Sequence, residues 1–341
     1  MIKRLFKIIV FTYPISLVFL VIRNFFNKLK IYNERKLKYY VFGLSFIYVI
    51  NLIRSLFHDF NLINILAESK VFILILILWT TKEFVNKKQN LNKYIKAFIF
   101  FSYLLLLISI LNTGIVLRYT DNVVYFPHFL SIYLGVSFSL LLIFSNKNHF
   151  IHGLILILLN ASGTGILSLT PVILYRLGNI KRSLQKYTLT IIMTVLLSIF
   201  FFVGQTQRGR SVIDFQEIDR IVLLDASIKQ LLDTPFHNLM IGNYLSFNTN
   251  IEKHISFESI KEYILEENDG KVYPRNTHNE HIRLIFQFGI LGWILIWIII
   301  FKTFKMKSKA VFWALFLSGF TNMILSITPV IFILYILKKY A

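Results

Sequence analysis

The composition of the chain excludes a soluble domain. Of its 341 residues, 56% are hydrophobic and 16% are charged, whereas about 25% of the residues in a soluble domain are charged. The net charge of +20 suggests nucleic acid as a partner, but the basic residues fall in short blocks between apolar stretches, which is typical of cytoplasmic loops. We therefore expect a membrane protein and no nucleic-acid partner. The absence of Cys excludes disulfides and a Cys nucleophile.

Apolar stretches recur along almost the whole chain. They have the length that a hydrocarbon layer requires, and they predict an all-α, polytopic protein of about ten or eleven transmembrane helices. The stretch 150–177 is interrupted at Ser162-Gly163-Thr164-Gly165 and again at Pro171. Because such backbone is tolerated at membrane depth only inside protein or beside water, we expect this hairpin within the bundle. The predicted spans are 6–22, 40–57, 62–80, 97–117, 129–144, 150–161, 166–177, 187–204, 279–300, 310–326 and 327–338.

The basic residues predict the orientation in the membrane. Positively charged loops favour the cytoplasmic side, which places the segment 205–278 outside. Eleven spans put the N-terminus outside as well, whereas Lys3, Arg4 and Lys7 favour the inside. Either the segment 6–22 re-enters the membrane or one short segment does not span it. The basic blocks lie at 23–38, 82–96, 176–186 and 302–309.

One long segment, 205–278, is predicted to lie outside the membrane. It separates the transmembrane helices of residues 1–204 from the C-terminal transmembrane helices of residues 279–341. It holds 11 of the 17 acidic residues, and the other predicted loops are short. Residues 218–232 place apolar side chains on one helical face, which predicts an amphipathic helix on the membrane surface. A second helix is predicted at 253–267. The apolar face of the first consists of Ile221, Leu224, Ile228, Leu231 and Leu232.

Two residue patterns flank this segment. Arg220 is followed after three residues by Leu224, and His278 is followed after ten residues by Gly289 at the start of the next predicted span. In order, spacing and placement these patterns resemble the O-antigen polymerases and O-antigen ligases, over roughly residues 150–300. The resemblance implies a C-type glycosyltransferase-like enzyme of the bacterial inner membrane with one large periplasmic loop. Such enzymes transfer a polyprenyl-diphosphate-linked glycan onto an acceptor sugar.

One position departs from the family pattern and favours the polymerase branch. The intramembrane hairpin of ligase-like members often reads Ser-Arg-Thr or Ser-Arg-Gly, where this chain has Ser162-Gly163-Thr164. The external segment holds eight basic and eleven acidic residues, and its charge of −3 suits the phosphorylated lipid A-core of a ligase poorly. We therefore expect polymerisation of repeat units into O-antigen or capsule. Ligation to lipid A-core is the alternative.

The residues of the two patterns suit this chemistry. The leaving diphosphate must be bound, and Arg220 is suited to that because its planar guanidinium binds phosphate oxygens bidentately. The acceptor hydroxyl must lose a proton, for which His278 is the predicted base. The start of the helix at 278–282 favours the anionic head of the donor. The sequence shows no Asp-rich cluster, and we expect a metal-independent reaction without a cofactor.

Five further residues are predicted to contact substrate. Arg283 lies inside a predicted span, where an ionisable group indicates function. An ordinary helix pair with Glu280 is the alternative for it. The other four are Arg54, Arg118, Arg210 and His281.

Each main assignment also has a structural alternative. His278 and Asn279 suit a helix cap, and Arg220 suits a surface ion pair with Asp219 or Glu217. His278 and His281 have the spacing of a metal pair, but no third ligand is evident in the sequence.

A transporter, such as a flippase for lipid-linked oligosaccharides, is the alternative from another class. Transporters usually consist of two comparable halves with intramembrane charges in both, whereas the candidate polar groups here surround one external segment. A binding or scaffold protein is a third alternative. The partners predicted from the resemblance are a polyprenyl-diphosphate-linked oligosaccharide donor and acceptor, membrane lipid, and other polysaccharide-assembly proteins.

Overall fold

The regular structure of the described residues is helical, apart from one isolated β-bridge between Thr249 and Val272. The computed structural model describes residues 35–58, 60–81, 88–114, 116, 131–160, 162–178, 219–255, 258, 261–262, 265, 271–304 and 308–340. Two 3-10 helices, Ile251–His254 and Pro274–Thr277, lie in the segment 205–278, which keeps the name external segment from its predicted location. The α-helices are α1 Arg35–His58, α2 Leu62–Glu68, α3 Lys70–Thr80, α4 Lys88–Thr113, α5 Ser131–Leu142, α6 Lys147–Asn160, α7 Gly163–Gly178, α8 Asp219–Leu232, α9 Phe236–Ile241, α10 Glu280–Thr303, α11 Ser308–Gly319 and α12 Thr328–Tyr340.

Several of these helices suit a membrane. Within the described residues, α1, α4 and α10 are long and apolar enough to cross one, and α2 and α3 qualify together although they are bent by 48° at their junction. By length and composition this part of the chain therefore holds three spanning helices, or four with the bent pair. The prediction of an all-helical protein with membrane-spanning helices is confirmed at this level. The total of ten or eleven spans remains a prediction, and the predicted spans 6–22 and 187–204 lie outside the described residues.

The predicted hairpin at 150–177 has one break instead of two. α6 ends at Asn160 and α7 begins at Gly163, as expected, but α7 continues through Pro171. Proline is tolerated within membrane helices because neighbouring groups satisfy the freed backbone. The start of α7 packs closely on α5, since a Cβ on Gly135 would lie 2.8 Å from the Cα of Gly165. Small residues permit such close packing of membrane helices, and α7 begins inside the protein, where Ser162 and Thr164 are each 1% exposed.

The helix predicted at 218–232 is present as α8, but its buried face matches the predicted one only in part. Val222, Leu223 and Ala226 are buried, whereas Ile228 is 44% exposed and Leu232 is 80% exposed. Of the predicted face, Leu224 and Leu231 are partly buried and pack against the hydrophobic cluster that contains Val222, Leu223 and Ala226. Because α8 packs on other parts of the protein, fit to its neighbours decides which face is buried. Of the second predicted helix, the start is a 3-10 helix. Further along, the structure describes residues 258, 261, 262 and 265 of the predicted range, and these four are α-helical.

Two hydrophobic clusters hold the described helices together. The larger joins α1, α3 to α7 and α10 to α12. The smaller attaches the external segment to the first turns of α10, and this attachment positions the candidate site. Its members are Val222, Leu223, Ala226, Ile251, Ile255, Val272, Ile282 and Phe286.

The predicted orientation gives a labelling test. Asn250 in the external segment and Lys309 at the start of α11 are both exposed, and the chain has no native Cys to interfere. We expect a membrane-impermeant maleimide to label Asn250→Cys in intact spheroplasts and Lys309→Cys only after permeabilisation. The opposite result would reverse the orientation.

Candidate active site

Helix α10 is broken at Gly289, close to the external segment. Gly289 has φ 67° and ψ 178°, a combination that essentially only glycine adopts. The break frees carbonyl groups of the first turns, and other parts of the chain donate to them. The backbone N–H of Asn243 donates to the carbonyl oxygen of Phe286 at 2.8 Å, and the Asn51 amide donates to that of Gln287 at 2.8 Å. α1 and the external segment thus complete the hydrogen bonding of the broken helix.

The external segment reaches this kink through a second glycine. Gly242 has φ 87°, and a Cβ on it would lie 2.3 Å from the carbonyl oxygen of Gln287. A Cβ on Gly289 would lie 2.2 Å from the carbonyl carbon of Met240. Both distances are shorter than real Cβ contacts. The docking of the external segment on α10 therefore requires glycine at both positions.

Arg54 anchors the same turn to α1. Its Nη1 donates to the carbonyl oxygen of Gly242 at 2.8 Å, and its Nη2 donates to Oδ1 of Asn238 at 2.6 Å. Asn51, one helical turn earlier, also donates to the carbonyl oxygen of Ile241 at 2.8 Å. Arg54 thus holds the external segment in place, while the substrate contact predicted for it stays a prediction.

Arg283 lies in a buried network of ion pairs. Its side chain is 1% exposed, and its Nε and Nη2 donate to Oε2 of Glu68 at 3.2 and 3.1 Å. Its Nη1 lies 3.6 Å from Oε1 of Glu280, which is the helix pair expected as the alternative. Glu280 in turn accepts from the backbone N–H of Leu325 at 3.0 Å. The partners of Arg283 are therefore carboxylates of the protein, where a substrate anion was predicted.

His281 is also used within the protein. It is 5% exposed, and its Nδ1 accepts from the indole N–H of Trp293 at 3.1 Å. The proton of the neutral ring then lies on Nε2, which donates to the carbonyl oxygen of Phe316 at 2.9 Å. His281 joins α10 to α11 among aromatic rings. Both nitrogens are occupied, which argues against the predicted substrate contact and against a metal pair with His278.

His278 differs from these buried groups because it is exposed. It lies directly before α10 with φ 51° and ψ 19°, and it is the only non-glycine residue with positive φ among the described residues. Such backbone conformations are concentrated at functional sites. The cap of α10 is Asn279, whose side chain accepts from the backbone N–H of Ile282 at 3.1 Å. The N-capping alternative therefore applies to Asn279, whereas His278 is the C-cap of the Pro274–Thr277 3-10 helix in a left-handed conformation.

The two helices that carry the residue patterns belong to one packed unit. Val222 and Leu223 of α8 pack in the same cluster as Ile282 and Phe286 of α10. The backbone of Arg220 lies in the first turn of α8, while its side chain is outside the described part of the structure. Arg118 and Arg210 lie outside the described residues.

Three residues near this site are not among the predicted ones: Asn51, Glu68 and Arg275. Glu68 had a usable signal, because it is a single carboxylate inside the predicted span 62–80, and ionisable groups in such spans are rare. Asn51 lies in an apolar helix, where a buried amide requires partners. Arg275 has no signal beyond its position three residues before His278.

Comparison of the chain with known proteins identifies no relative. No protein-family model, no curated protein and no solved structure matches the chain. The resemblance to O-antigen polymerases and ligases therefore rests on the residue patterns around Arg220 and His278. Physically, the candidate site is an exposed histidine at the start of an apolar helix, bordered by a buried ion-pair network and by a firmly attached external segment.

Proposed function

We propose that the chain is a membrane glycosyltransferase that polymerises polyprenyl-diphosphate-linked oligosaccharide repeat units into a surface polysaccharide. The observation that carries the proposal is the exposed His278, which has positive φ at the start of α10 and belongs to the same unit as the helix that bears Arg220. His278 accepts the proton of an acceptor hydroxyl, whose oxygen attacks the anomeric carbon of the donor. The bond to the diphosphate breaks, and polyprenyl diphosphate leaves with the bonding electrons.

The attachment of the external segment supports this division of roles. Arg54 and Asn51 bind its backbone from α1, and the kink at Gly289 receives it on α10. The backbone of α8 consequently has a fixed position relative to His278. An enzyme whose general base and diphosphate-binding arginine come from distant parts of the chain needs both residues at fixed positions relative to each other. The apolar helices suit a donor whose polyprenyl tail remains in the bilayer.

Substitutions at the two pattern residues test the chemistry. We expect His278→Ala to lower the polymerisation rate by about 100-fold or more, because it removes the general base. Arg220→Lys should fail nearly as completely as Arg220→Ala, since an ammonium group lacks the bidentate fork of the guanidinium. The measurement is the growth of lipid-linked repeat units into polymer by the purified protein. His237→Ala, at another exposed histidine of the external segment, is the matched control and should retain activity. More than a tenth of the wild-type rate in His278→Ala would refute the base assignment.

A gene deletion distinguishes the two branches of the family. A strain without the polymerase should carry single repeat units on its surface, because ligation continues without chain growth. A strain without a ligase should accumulate long polymer on the lipid carrier. The charge of −3 in the external segment favours the first outcome. Long lipid-linked polymer in the deletion strain would assign the chain to ligation instead.

A further inference from the structure

Arg275 is a partly exposed arginine close to the candidate base. It lies in the Pro274–Thr277 3-10 helix, three residues before His278. Its side chain is 31% exposed, whereas the side chain of Arg283 is 1% exposed. The side chain of Arg275 is therefore accessible to solvent and also contacts the buried ion-pair network.

The protein holds one edge and one face of the Arg275 guanidinium. Nη1 donates to Oδ1 of Asn64 at 3.0 Å and lies 3.6 Å from Oε1 of Glu68. The guanidinium carbon lies 4.5 Å from the ring centroid of Tyr273, within the range of a cation–π contact. Asn64 and Glu68 are four residues apart in α2 and share one helical face. The short helix α2 thus forms a platform for this side chain.

This arrangement leaves donor groups of Arg275 unused. A guanidinium has five N–H donors, and the hydrogen bond and ion pair of Arg275 within the described part of the chain involve Nη1 alone. By comparison, Arg54 uses both Nη groups on the protein, and Arg283 uses Nε and Nη2 on Glu68. Arg275 is therefore oriented by the protein and still able to bind an oxyanion through Nε and Nη2.

The surrounding charges favour an anion at this place. The charges of Glu68 and Glu280 balance those of Arg283 and Arg275, and Lys70 lies close enough to interact electrostatically with the network. The local sum is then positive. Glu68 is fully buried and serves both arginines, so it orients Arg275 without itself facing a ligand.

We propose that Arg275 binds the diphosphate of the polyprenyl donor and product, and that Glu68 is its positioning residue. The identity of the ligand rests on the proposed function, while the oxyanion chemistry rests on the geometry of Arg275. Arginine suits this ligand because it binds phosphate oxygens with two parallel hydrogen bonds and keeps its charge. Arg275 then holds the leaving group, and His278 three residues later takes the proton of the acceptor.

A binding measurement on the purified full chain in neutral detergent tests the site without turnover. Farnesyl diphosphate is the probe, and farnesol is its uncharged control. We expect Arg275→Gln to weaken the affinity for farnesyl diphosphate by about 10-fold or more, since a hydrogen bond to a charged group is lost. Farnesol binding should not change. The matched variant Lys271→Gln removes the same charge from an exposed position of the same segment. It should lower the affinity for farnesyl diphosphate by less than about 2-fold. Equal losses in both variants would refute a specific site.

Competition identifies the source of the oxyanion. Inorganic diphosphate should displace the probe from the wild type, because the phosphate groups are what Arg275 binds. Nanodiscs with phosphatidylglycerol should displace it no better than nanodiscs with phosphatidylcholine. Displacement by phosphatidylglycerol alone would indicate a general site for anionic headgroups and would overturn the assignment to diphosphate.

A double-mutant cycle tests the positioning role of Glu68. Glu68→Gln should lower the affinity for farnesyl diphosphate by less than Arg275→Gln does. In the Arg275→Gln background it should cause no further loss of affinity, because Glu68 acts through that arginine. Additive losses would refute the positioning role. Asn64→Ala poses the same question without touching a buried charge, should Glu68→Gln fail to fold.

Different experimental results would refute the Arg275 site and the proposed transferase function. Wild-type affinity in Arg275→Gln, in a protein that polymerises repeat units, would remove the Arg275 site alone. Diphosphate binding that depends on Arg275, in a protein without transferase activity, would remove the proposed function and leave an oxyanion site.

Discussion

Gly289→Ala is expected to abolish the native attachment of the external segment to α10. The new Cβ would lie 2.2 Å from the carbonyl group of Met240, so the two backbones must separate. Alanine is also strained at φ 67° and ψ 178°, a region that is essentially restricted to glycine. Separation would break the hydrogen bonds that Asn51 and Asn243 make to the kink. We expect little or no folded protein after detergent extraction, measured by gel filtration and by the thermal unfolding midpoint.

Substitutions at two other glycines distinguish the effect of the close backbone contact from the effect of backbone strain. Gly114 also has positive φ, at 70°, but nothing lies within 4 Å of a Cβ there. Gly114→Ala should therefore cost only the backbone strain, about 1 to 2 kcal/mol. Gly43 is helical, and its Cβ would make an ordinary contact of 3.4 Å with Leu295, so Gly43→Ala should be tolerated. If Gly289→Ala were no worse than Gly114→Ala, the close approach of the two backbones would be refuted.

Long apolar runs were the most predictable part of the fold. The predicted spans 40–57, 97–117 and 279–300 correspond to α1, α4 and α10, because local composition largely decides where such a helix forms. The kink in α10 was not predictable in the same way. Gly289 and Gly292 lie in the same span, yet only Gly289 has non-helical dihedral angles. What distinguishes them is the docking of Gly242, which lies far away in the sequence.

The candidate site shows the same limit for charged residues. The rule that ionisable groups within spans have a special role correctly selected Arg54 and Arg283 as unusual. It does not say whether the partner is a substrate or the protein itself. The partner of Arg283 is Glu68, which is 215 residues away in the sequence. Only a folded structure brings the two together and shows that their charges are already paired.

Arg283→Met is expected to be among the most destabilising substitutions in the chain. It leaves Glu68 and Glu280, both fully buried, without their shared partner. Removing one member of a buried ion pair typically costs about 3 to 5 kcal/mol, because the remaining charge is uncompensated. Glu68→Gln should cost less, since Arg283 keeps Glu280 at 3.6 Å. The thermal unfolding midpoints of the two purified variants in detergent measure this difference.

The combination of these two substitutions gives a sharper expectation, because the effect of Glu68→Gln should change sign. In the wild type, Glu68→Gln removes the partner of Arg283 and destabilises the protein. In the Arg283→Met background it removes a carboxylate that has lost its strongest partner, so it should raise the unfolding midpoint. The gain should be partial, because Arg275 still lies 3.6 Å from Glu68 and Glu280 stays uncompensated. Equal destabilisation by Glu68→Gln in both backgrounds would mean that the two residues do not interact.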